Sequence, residues 1–460
     1  MRKETDGLGE RLLPEDALYG IHSLRARENF PITLRRMDGE FIQNIARIKK
    51  AAALVNGGSG DLTNAQTLAI VEACDEVIRG EHLDAFLVDM MQGGAGTSAN
   101  MNANEVIANL AILRLGGKCG EYALIHPIDH VNMYQSTNDV IPSAGRLTVY
   151  QKCMRLLGAL TTLEQALREK AEVFDGILKV GRTQLQDAVP MRVGQTFGAY
   201  AAMVRRSIGQ IRKDLETMQH INLGATAIGT GINASRYYFD HIVAAAALES
   251  GIELYRSEDL FDGTQNADDF ATVSSAVKVC AIKLSKMASD LRLLSSGPNS
   301  GFCELHLPAR QSGSSIMPGK VNPVLPEALN QAAFLAVGHD LTVTQAVEAG
   351  QLELNAFLPV VFFQLFEEID VLTNAIHAFI ANCLTGITVN TNKCEKDVEM
   401  CYSIVTALNP AIGYDKSTEI VKTAQRTGRT ILETARELSG LPDDRLQELM
   451  DPSRLTLPTA

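Results

Sequence analysis

The sequence predicts a mostly α-helical protein built around a long central helical bundle. Glycine and proline are concentrated in a few segments, and the long stretches between them carry apolar residues every three or four positions. Patterns of this length and periodicity are typical of helical bundles. Candidate strands are few and short, so we expect about 60% helix and little sheet, well above the average helical share.

Five segments carry the predicted long helices. The clearest is 266–296, which contains neither Gly nor Pro and places Val273, Val277, Leu284 and Leu291 on one stripe. At about 1.5 Å per residue this segment forms a rod of roughly 45 Å. The other predicted rods are 146–174, 195–220, 326–349 and 358–384, and the predicted short strands are Ile177–Val180 and Ile387–Val389.

The distribution of glycine also divides the chain into three predicted regions. Residues 1–138 carry shorter elements and would form an N-terminal, mainly helical domain. Residues 139–390 carry the rods and would form the central bundle, and 391–460 would form a small C-terminal helical domain. These smaller domains would flank the bundle, and no linker is long enough to make the three regions independent.

Composition argues against several classes of protein. A net charge of −12, without a local cluster of Lys and Arg, argues against a nucleic-acid surface. No apolar run approaches the ~18 residues of a membrane span. The charged N-terminus and eight scattered cysteines predict a cytoplasmic protein without a disulfide framework. His126 and His130 are four apart, but Pro127 favours a loop there, so we predict no metal site.

Five polar or Gly-rich segments interrupt the helical pattern, and folding alone does not require them. In 93–106, Thr97 and Ser98 stand at a helix start that suits an anion, although Thr97, Ser98 or Asn100 could simply cap the helix. In 126–144, five consecutive polar residues, Gln135–Asp139, precede a long helix, and capping accounts for one or two of them.

The third and fourth segments have stronger structural explanations. In 181–190, Thr183 and Gln184 lie between a β-like piece and a helix, where a structural turn is the default interpretation. In 223–233, the glycines do not match the dinucleotide pattern G-x-G-x-x-G, and close backbone packing between helices is favoured.

The fifth segment, 309–327, is the most informative. Its glycines and prolines predict a structured loop between two rods, and its spacing does not match a Walker phosphate loop. Ser314, Ser315, Lys320 and Asn322 lie within it. A lysine beside hydroxyls and backbone amides can hold a carboxylate and stabilise an oxyanion.

The sequence GSSIMPGKVNP at 313–323 is a long motif that resembles the signature of the aspartase/fumarase superfamily. The likeness extends from about residue 3 to about residue 455 and includes ALYGIHSLRARENFPI and SSGPNSGFCELHLPARQSG. QSTND at 135–139 and GATAIGTG at 224–231 are similar to the aspartase branch, where fumarases typically read QSSND and GGTAVGTG. Gln184 stands where fumarases, and some aspartases, carry His.

The resemblance implies reversible elimination of ammonia from L-aspartate to give fumarate. It implies no organic cofactor and a homotetramer whose sites each take loops from three chains, and it leaves activation by a divalent cation open. Ser314 would be the base that removes the Cβ proton, with Ser315 as its rival. Lys320 and Asn322 would hold a carboxylate. Thr97, Ser98, Ser136, Thr137 and Thr183 would donate hydrogen bonds to the aci-carboxylate intermediate, and Asn138 and Gln184 would contact the leaving amine.

Glu327 matches the carboxylate that partners the fumarase His, and here it would bond to Gln184 or act at distance on the ammonium. Hydroxide is a poor leaving group that benefits from a general acid, whereas an ammonium already carries its proton. Gln184 cannot supply that acid but can hydrogen-bond an amine. The alternatives are another lyase of the superfamily, such as fumarate hydratase or a lyase for N-substituted aspartates, and a catalytically silent homologue.

Overall fold

Helices dominate the structure, as the sequence predicts. The computed structural model describes residues 1–457, and 63% of the chain is helical. The strands are short and form separate two-stranded sheets. The helices are α1 Ile21–Asn29, α2 Gly39–Ser59, α3 Asn64–Ile78, α4 Thr97–Arg114, α5 Thr137–Val173, α6 Val193–Leu215, α7 Arg236–Ser250, α8 Asp262–Gln265, α9 Asp268–Leu294, α10 Val324–Glu348, α11 Leu358–Asn382, α12 Thr391–Glu399, α13 Asn409–Ile412, α14 Tyr414–Thr427, α15 Ile431–Leu438 and α16 Asp443–Leu449. The strands are β1 Arg2–Asp6, β2 Gly9–Leu13, β3 Leu178–Thr183, β4 Gln186–Arg192, β5 His220–Ile221, β6 Tyr255–Arg256, β7 Leu305–His306 and β8 Thr388–Val389.

The five predicted rods are α5, α6, α9, α10 and α11, and one of them is longer than predicted. Helix α5 begins at Thr137 rather than at 146 and continues through Pro142. Proline has no amide hydrogen, so the carbonyl four residues earlier loses its helical partner. Here that carbonyl belongs to Asn138, and Asn222 Nδ2 donates to it at 3.0 Å. A side chain from elsewhere in the sequence therefore compensates for the proline.

Both predicted strands are present, as β3 and β8, and the prediction for the residues after β3 is wrong. β3 pairs with β4 in an antiparallel hairpin, so a strand and not a helix follows Thr183. Gln184 and Leu185 turn the chain, with φ values of 53° and 61°. Positive φ at both central residues is the geometry of a two-residue hairpin turn whose twist matches that of the strands.

The described residues group into two compact units. The first contains 1–157, 209–281 and 334–373, and the second contains 158–208, 282–333 and 374–457. The division into three sequence regions stays a prediction. The cysteines are free thiols and all are buried. Between residues 1 and 457, no helix is both long enough and apolar enough to cross a bilayer.

Aromatic packing forms part of the core of the first unit. The Phe362 ring lies 5.4 Å from Phe41 and 5.2 Å from Phe270, measured between centroids. A Cβ atom at Gly145 would lie 2.4 Å from the Phe362 ring, so glycine lets α5 approach α11 closely. Aromatic pairs at these separations contribute about 0.5–1.5 kcal/mol each beyond their buried area.

A buried polar cluster joins α9, α10 and α11 within the same unit. Ser274 Oγ donates to Asp340 at 3.0 Å or to Glu368 at 2.8 Å, and Lys278 pairs with Asp340 at 2.6 Å. Burial raises the pKa of Glu368 well above its usual range, and the nearby Asp340 adds to the shift. Burial therefore favours the protonated form of Glu368.

Helices α14, α15 and α16, with the short helical segment Tyr402–Leu408, form a small core of their own in the second unit. Its buried side chains are Ile404, Val405, Leu408, Ile420, Ala424, Ile431, Ala435, Leu446 and Met450. A capping box at the start of α15, in which Thr430 and Glu433 bond to each other's backbone amides, fixes where that helix begins.

The raised pKa of Glu368 predicts a pH-dependent stability. A carboxyl group whose pKa is higher in the folded protein contributes its full stability below about 4.5, and this is lost as pH rises towards the folded pKa. Glu368→Gln removes that loss, so the free energy of unfolding of the variant should rise relative to that of the wild type as the pH is raised from 5 to 8. Chemical unfolding at several pH values measures the gap. Glu348→Gln, at an exposed position of α10, is the control, and a gap for Glu368→Gln that does not change with pH would contradict the assignment.

Candidate active site

The loop that contains Ser314 is closed by its own hydrogen bonds. Gly313 N donates to Lys320 O at 2.8 Å, and Asn322 Nδ2 donates to Gly313 O at 2.8 Å. Lys320 N also donates to Met317 O at 3.3 Å. The Asn322 side chain therefore links the two ends of the loop, a structural role that was not predicted from the sequence.

Gly313 is required where the two ends of this loop meet. A Cβ atom there would lie 2.5 Å from Lys320 O and 2.9 Å from its carbonyl carbon. Both are backbone atoms, so a larger residue would have to push the two ends apart. The closed loop depends on the absence of a side chain at this position.

The two serines of the loop have different surroundings. Ser314 is half-buried, and its Oγ accepts hydrogen bonds from the amides of Ile316 at 3.2 Å and Met317 at 3.0 Å. Ser315 is exposed. Hydrogen-bond donors aimed at an oxygen favour its anionic form. The geometry therefore distinguishes Ser314 from Ser315 where the residue pattern alone did not.

A cavity of about 900 Å³ lies beside the loop in the second unit. Its lining includes the predicted Lys320, Asn322 and Glu327. It also includes side chains that the sequence analysis did not single out, among them Arg292, Ser296 and His306. The cavity combines a lysine, an arginine and several neutral donors, which suits a small anion.

Glu327 was expected either to bond to Gln184 or to act at a distance on an ammonium, and the first of these contacts is not formed in the described part of this chain. Its carboxylate lies 3.8 Å from the Arg292 guanidinium. Within residues 1–457 no hydrogen bond joins it to Gln184, so the expected bond between them is not formed within this chain. An effect of Glu327 at a distance on an ammonium stays a prediction.

Thr183 and Gln184 are exposed at the tip of the β3–β4 hairpin, and a buried ion cluster holds its base. Lys179 lies 2.9 Å and Arg182 lies 2.5 Å from the buried carboxylate of Glu304. The Arg182 guanidinium also covers the Phe302 ring at 4.4 Å. Glu304 is a residue that the sequence reasoning missed, although a lone acid inside the apolar stretch FCELHLP is a visible signal.

In the first unit, Thr97 and Ser98 begin α4, and the capping explanation for them is wrong. The capping residue is Gly96, whose φ is 94° and which has no side chain to offer. Gln92 Oε1 instead accepts from Ala99 N at 2.8 Å, and Thr97 Oγ1 donates back to Gly94 O at 2.8 Å. Asn100 is buried and points to Thr137 and Asn132.

The segment 135–139 combines capping with further contacts. Ser136 and Asp139 cap α5 reciprocally, since Ser136 Oγ accepts from Asn138 N at 3.1 Å and Asp139 accepts from Ser136 N at 3.0 Å. Thr137 Oγ1 accepts from Asn100 Nδ2 at 3.3 Å. Capping thus explains two of the five polar residues, in line with the expectation.

The fourth segment joins this group, although only a packing role was predicted for it. Asn138 Nδ2 donates to Ala227 O at 2.7 Å. The predicted close packing exists, since a Cβ atom at Gly229 would lie 2.8 Å from the Phe261 backbone, but that backbone precedes α8 and does not belong to a long helix. The candidate residues therefore form one group in the first unit, around 97–98 and 136–138, and another in the second.

Comparison with known proteins identifies the family. The model of a family described as lyase matches residues 9–338, and that of the fumarase C C-terminus matches 404–457. The chain belongs to this lyase family. It is 47% identical over 458 residues to the aspartate ammonia-lyase of a Bacillus species, covering 100% of this chain and 98% of the relative. It is 43% identical to the aspartate ammonia-lyase of Escherichia coli strain K12, covering 100% of this chain and 96% of the relative.

Solved structures of the lyase family share the fold. The crystal structure of a fumarate lyase:delta crystallin from Brucella melitensis, bound to cobalt, matches with a TM-score of 0.97 at 45% identity, over 99% of this chain and 100% of that one. A class II fumarase from Schistosoma mansoni matches with a TM-score of 0.95 at 33% identity, over the full length of both chains. Membership of the aspartase/fumarase superfamily, the mostly α fold and the assignment as an enzyme are confirmed.

Few side chains of this lyase are arranged to share a metal ion. Within residues 1–457, the group that could do so is Glu76, Glu81 and His82. Arg114 already pairs with Glu76, and Arg79 pairs with Glu81 at 2.7 Å. The carboxylates are thus already balanced by arginines, and none of the candidate site segments contributes to the group.

The close approach at Gly313 predicts a selective loss of activity. Gly313→Ala should force the ends of the loop apart and lower kcat/KM of this lyase by about 10-fold or more, because the loop groups lose their alignment. Steady-state kinetics measures the effect. Gly158→Ala is the matched control, because that glycine is exposed on α5 with open space around it. Equal activity in both variants would show that the closed loop is not required.

Proposed function

We propose that the chain catalyses the reversible elimination of ammonia from L-aspartate to give fumarate. The observation that carries the proposal is the full-length similarity to aspartate ammonia-lyases, at 47% and 43% identity. Fumarase from Schistosoma mansoni shares the fold at a lower identity of 33%. The proposal also agrees with the chemistry of Gln184.

Gln184 favours ammonia over water as the leaving group. Its exposed amide at the hairpin tip can donate to or accept from an amine, but it cannot protonate a departing hydroxide. A substrate ammonium needs no such acid, because it leaves as neutral ammonia after the Cα–N bond breaks. Dehydration of malate would lack its general acid at this position.

Incubation of the purified enzyme with candidate substrates tests the proposal. L-Aspartate should produce fumarate, followed by its ultraviolet absorbance, and fumarate with ammonium should give the reverse reaction. Turnover of malate alone, or of N-substituted aspartates alone, would replace the proposal with one of the other superfamily lyases. No turnover of any of these would support a silent homologue.

Ser314 is our proposed catalytic base. The amides of Ile316 and Met317 donate to its Oγ, at 3.2 Å and 3.0 Å, and these donors stabilise an alkoxide. In the forward reaction Oγ takes the Cβ proton, and the electron pair of the C–H bond moves into the adjacent carboxylate to form the aci-carboxylate. Collapse of this intermediate expels ammonia and forms the double bond of fumarate.

The proposed base predicts unequal effects at the two adjacent serines. Ser314→Ala should lower kcat by about 100- to 10,000-fold, the usual contribution of a general base, while binding of a non-reactive dicarboxylate persists. Ser315→Ala is the matched control and should retain most of the activity, since that hydroxyl is exposed. Steady-state kinetics and calorimetry with succinate measure the two effects. The reverse ranking would move the base to Ser315.

Lys320 and Asn322 are proposed to hold one substrate carboxylate. Within the described residues, Lys320 has no carboxylate within 4 Å, so its ammonium does not have to leave a partner in order to bind substrate. Asn322 Nδ2 donates to Gly313 O and has a second hydrogen to offer. A charge-assisted hydrogen bond from Lys320 would supply most of the attraction.

Neutral donors are proposed to stabilise the aci-carboxylate. Such donors are most effective when aimed at charge that develops in the transition state. Asn138 has its amide nitrogen engaged with Ala227 O, so its Oδ1 is the atom left to accept from the substrate ammonium. Gln184 would be the second contact of the leaving amine. The proposed donors to the aci-carboxylate are Thr97, Ser98, Ser136, Thr137 and Thr183.

We further propose a homotetramer in which three chains contribute to each site. Helix α10 exposes large apolar side chains in the isolated chain: Phe334 is 65%, Leu335 is 52% and Leu341 is 58% exposed. Exposed apolar surface of this kind marks an interface. Light scattering should give the mass of four chains, and a monomer would exclude sites shared between chains. The cytoplasmic location stays a prediction.

No organic cofactor is proposed, because proton removal and ammonia loss need only a base and anion-binding groups. Activation by a divalent cation stays open as a property of the resemblance. The Glu76, Glu81 and His82 group is not proposed to bind it, since arginines already balance both of its carboxylates.

A further inference from the structure

A buried carboxylate lies directly behind the proposed donors of the first unit. Asp139 is inaccessible to solvent and accepts from three backbone amides. Oδ1 accepts from Ser136 N at 3.0 Å, and Oδ2 accepts from Gly224 N at 3.2 Å and Thr226 N at 3.1 Å. The carboxylate thus connects the start of α5 to a loop 85 to 87 residues away.

Helix capping explains only half of this arrangement. The bond from Ser136 N to Oδ1 is the ordinary reciprocal contact at a helix start. The second oxygen serves a loop whose backbone is unusual: φ is 92° at Gly224 and 56° at Thr226. The left-handed backbone at non-glycine Thr226 is unfavourable by itself and persists where surrounding contacts over-determine it. Oδ2 is one such contact.

The same two segments are joined by further hydrogen bonds. Asn138 Nδ2 donates to Ala227 O at 2.7 Å, and Asn222 Nδ2 donates to Asn138 O at 3.0 Å. Asn138 is a proposed contact of the leaving amine. Its side-chain orientation therefore depends directly on where the loop 224–227 lies, and hydrogen bonds to Asp139 hold that loop in place.

A buried lysine provides the opposite charge. Lys49 on α2 is fully buried, its charge acts on Asp139, and its Nζ donates to Asn132 Oδ1 at 2.8 Å. The same Asn132 oxygen lies within 3.1 Å of Asn100 Nδ2 and 3.2 Å of Asn104 Nδ2, which come from α4. Burial lowers the pKa of Lys49 to about 7 and raises that of Asp139 to about 7, and each charge partly offsets the shift of the other.

The charge of Lys49 has an electrostatic consequence. A carboxylate behind a site that must bind a dicarboxylate would repel it, and the repulsion is strong where water is excluded. A buried cation whose charge acts on Asp139 offsets part of that repulsion. Lys49 therefore lets Asp139 organise backbone amides without making the site unfavourable for an anion.

We propose that Asp139 is a positioning residue for the elimination reaction. Its carboxylate fixes the loop 224–227 against the start of α5, so that Ser136, Thr137 and Asn138 keep one geometry towards the developing aci-carboxylate and the leaving amine. The inference rests on the proposed function. Donors that are held in place before the reaction need no reorganisation during it, so loss of the anchor acts on the transition state more than on substrate binding.

Two variants and one control test the role. Asp139→Asn keeps the shape but offers a single acceptor oxygen, and should lower kcat on the order of 10- to 100-fold while KM for aspartate changes less. Asp139→Asn combined with Lys49→Met removes both buried charges, which commonly leaves a protein as stable or more stable. Ser274→Ala, in the buried cluster of α9, is the control for a general loss of packing and should keep kcat.

The double variant separates positioning from charge balance. We expect it to recover thermal stability relative to Asp139→Asn and still to show the low kcat, because the amides of Gly224 and Thr226 have lost an acceptor. Recovery of kcat in the double variant would overturn the proposal and leave only charge compensation. Wild-type kcat in Asp139→Asn would also overturn it.

Amide hydrogen exchange keeps this test independent of the proposed reaction. Peptides that cover 222–228 should exchange faster in Asp139→Asn and in the double variant than in the wild type or in Ser274→Ala. Unchanged exchange there would overturn the positioning role even if activity fell. If the wild type turned over no aspartate but exchange rose as expected, the proposed function would fail while the anchoring of the loop by Asp139 would stand.

Discussion

Backbone amides that have no partner within a helix or sheet need other hydrogen-bond acceptors, and in the first unit three buried carboxylates supply them. A buried amide left unpaired costs about 1–3 kcal/mol, so these acceptors matter as much as apolar contacts. Glu105 accepts from the amides of Gly20, His22 and Ser23 at 2.9, 2.9 and 3.1 Å. Asp89 accepts from those of Thr33, Leu34 and Met91 at 2.8, 2.7 and 2.8 Å. Asp139 accepts from the amides of Gly224 and Thr226 in the loop 224–226, so three carboxylates of the first unit each hold several backbone amides.

The loop around Ser314 uses a hydroxyl where those loops use a carboxylate. Two amides point at Oγ, which as a neutral oxygen is a weaker acceptor than a carboxylate. Ionisation of the hydroxyl would strengthen both bonds. In the proposed mechanism the conformation of the loop and the basicity of the serine are therefore linked, because the contacts that hold the loop closed, at Gly313 and Asn322, would also favour the alkoxide. This is a physical reason for a motif in which glycine, serine and asparagine occur at fixed spacing.

The sequence was sufficient for features that depend on local chemistry. The rods follow from apolar periodicity, and the loop between α9 and α10 follows from its glycines and prolines, while its role as an active-site loop stays a prediction. Contacts between distant residues were not predictable. The start of α5 depends on Asn222 replacing the bond that Pro142 cannot make, and β4 depends on a turn formed by Gln184 and Leu185 without the usual glycine. Asp139 was visible only as one polar residue in a run of five, because its partners lie 85 or more residues away.

The balance of neutral and charged groups in the candidate site suits the reversible elimination that we propose for this chain. Fumarate is a dianion that must leave, and the aci-carboxylate group of the intermediate itself carries two negative charges. A site rich in cations would bind both fumarate and the intermediate strongly and slow product release, whereas neutral donors distinguish the two by geometry.

Among the predicted site residues Lys320 is the one cation, and the others offer hydroxyls, amides or a carboxylate. The protein has a net charge of −12, so the attraction that brings a dicarboxylate to its site must come from local groups such as Lys320 and Arg292, which line the same cavity. Because one carboxylate of the substrate keeps its charge throughout, that attraction is uniform along the reaction. The neutral donors must therefore be the groups that bind the transition state more strongly than the substrate. Their effect depends less on charge than on how precisely buried groups such as Asp139 hold the backbone.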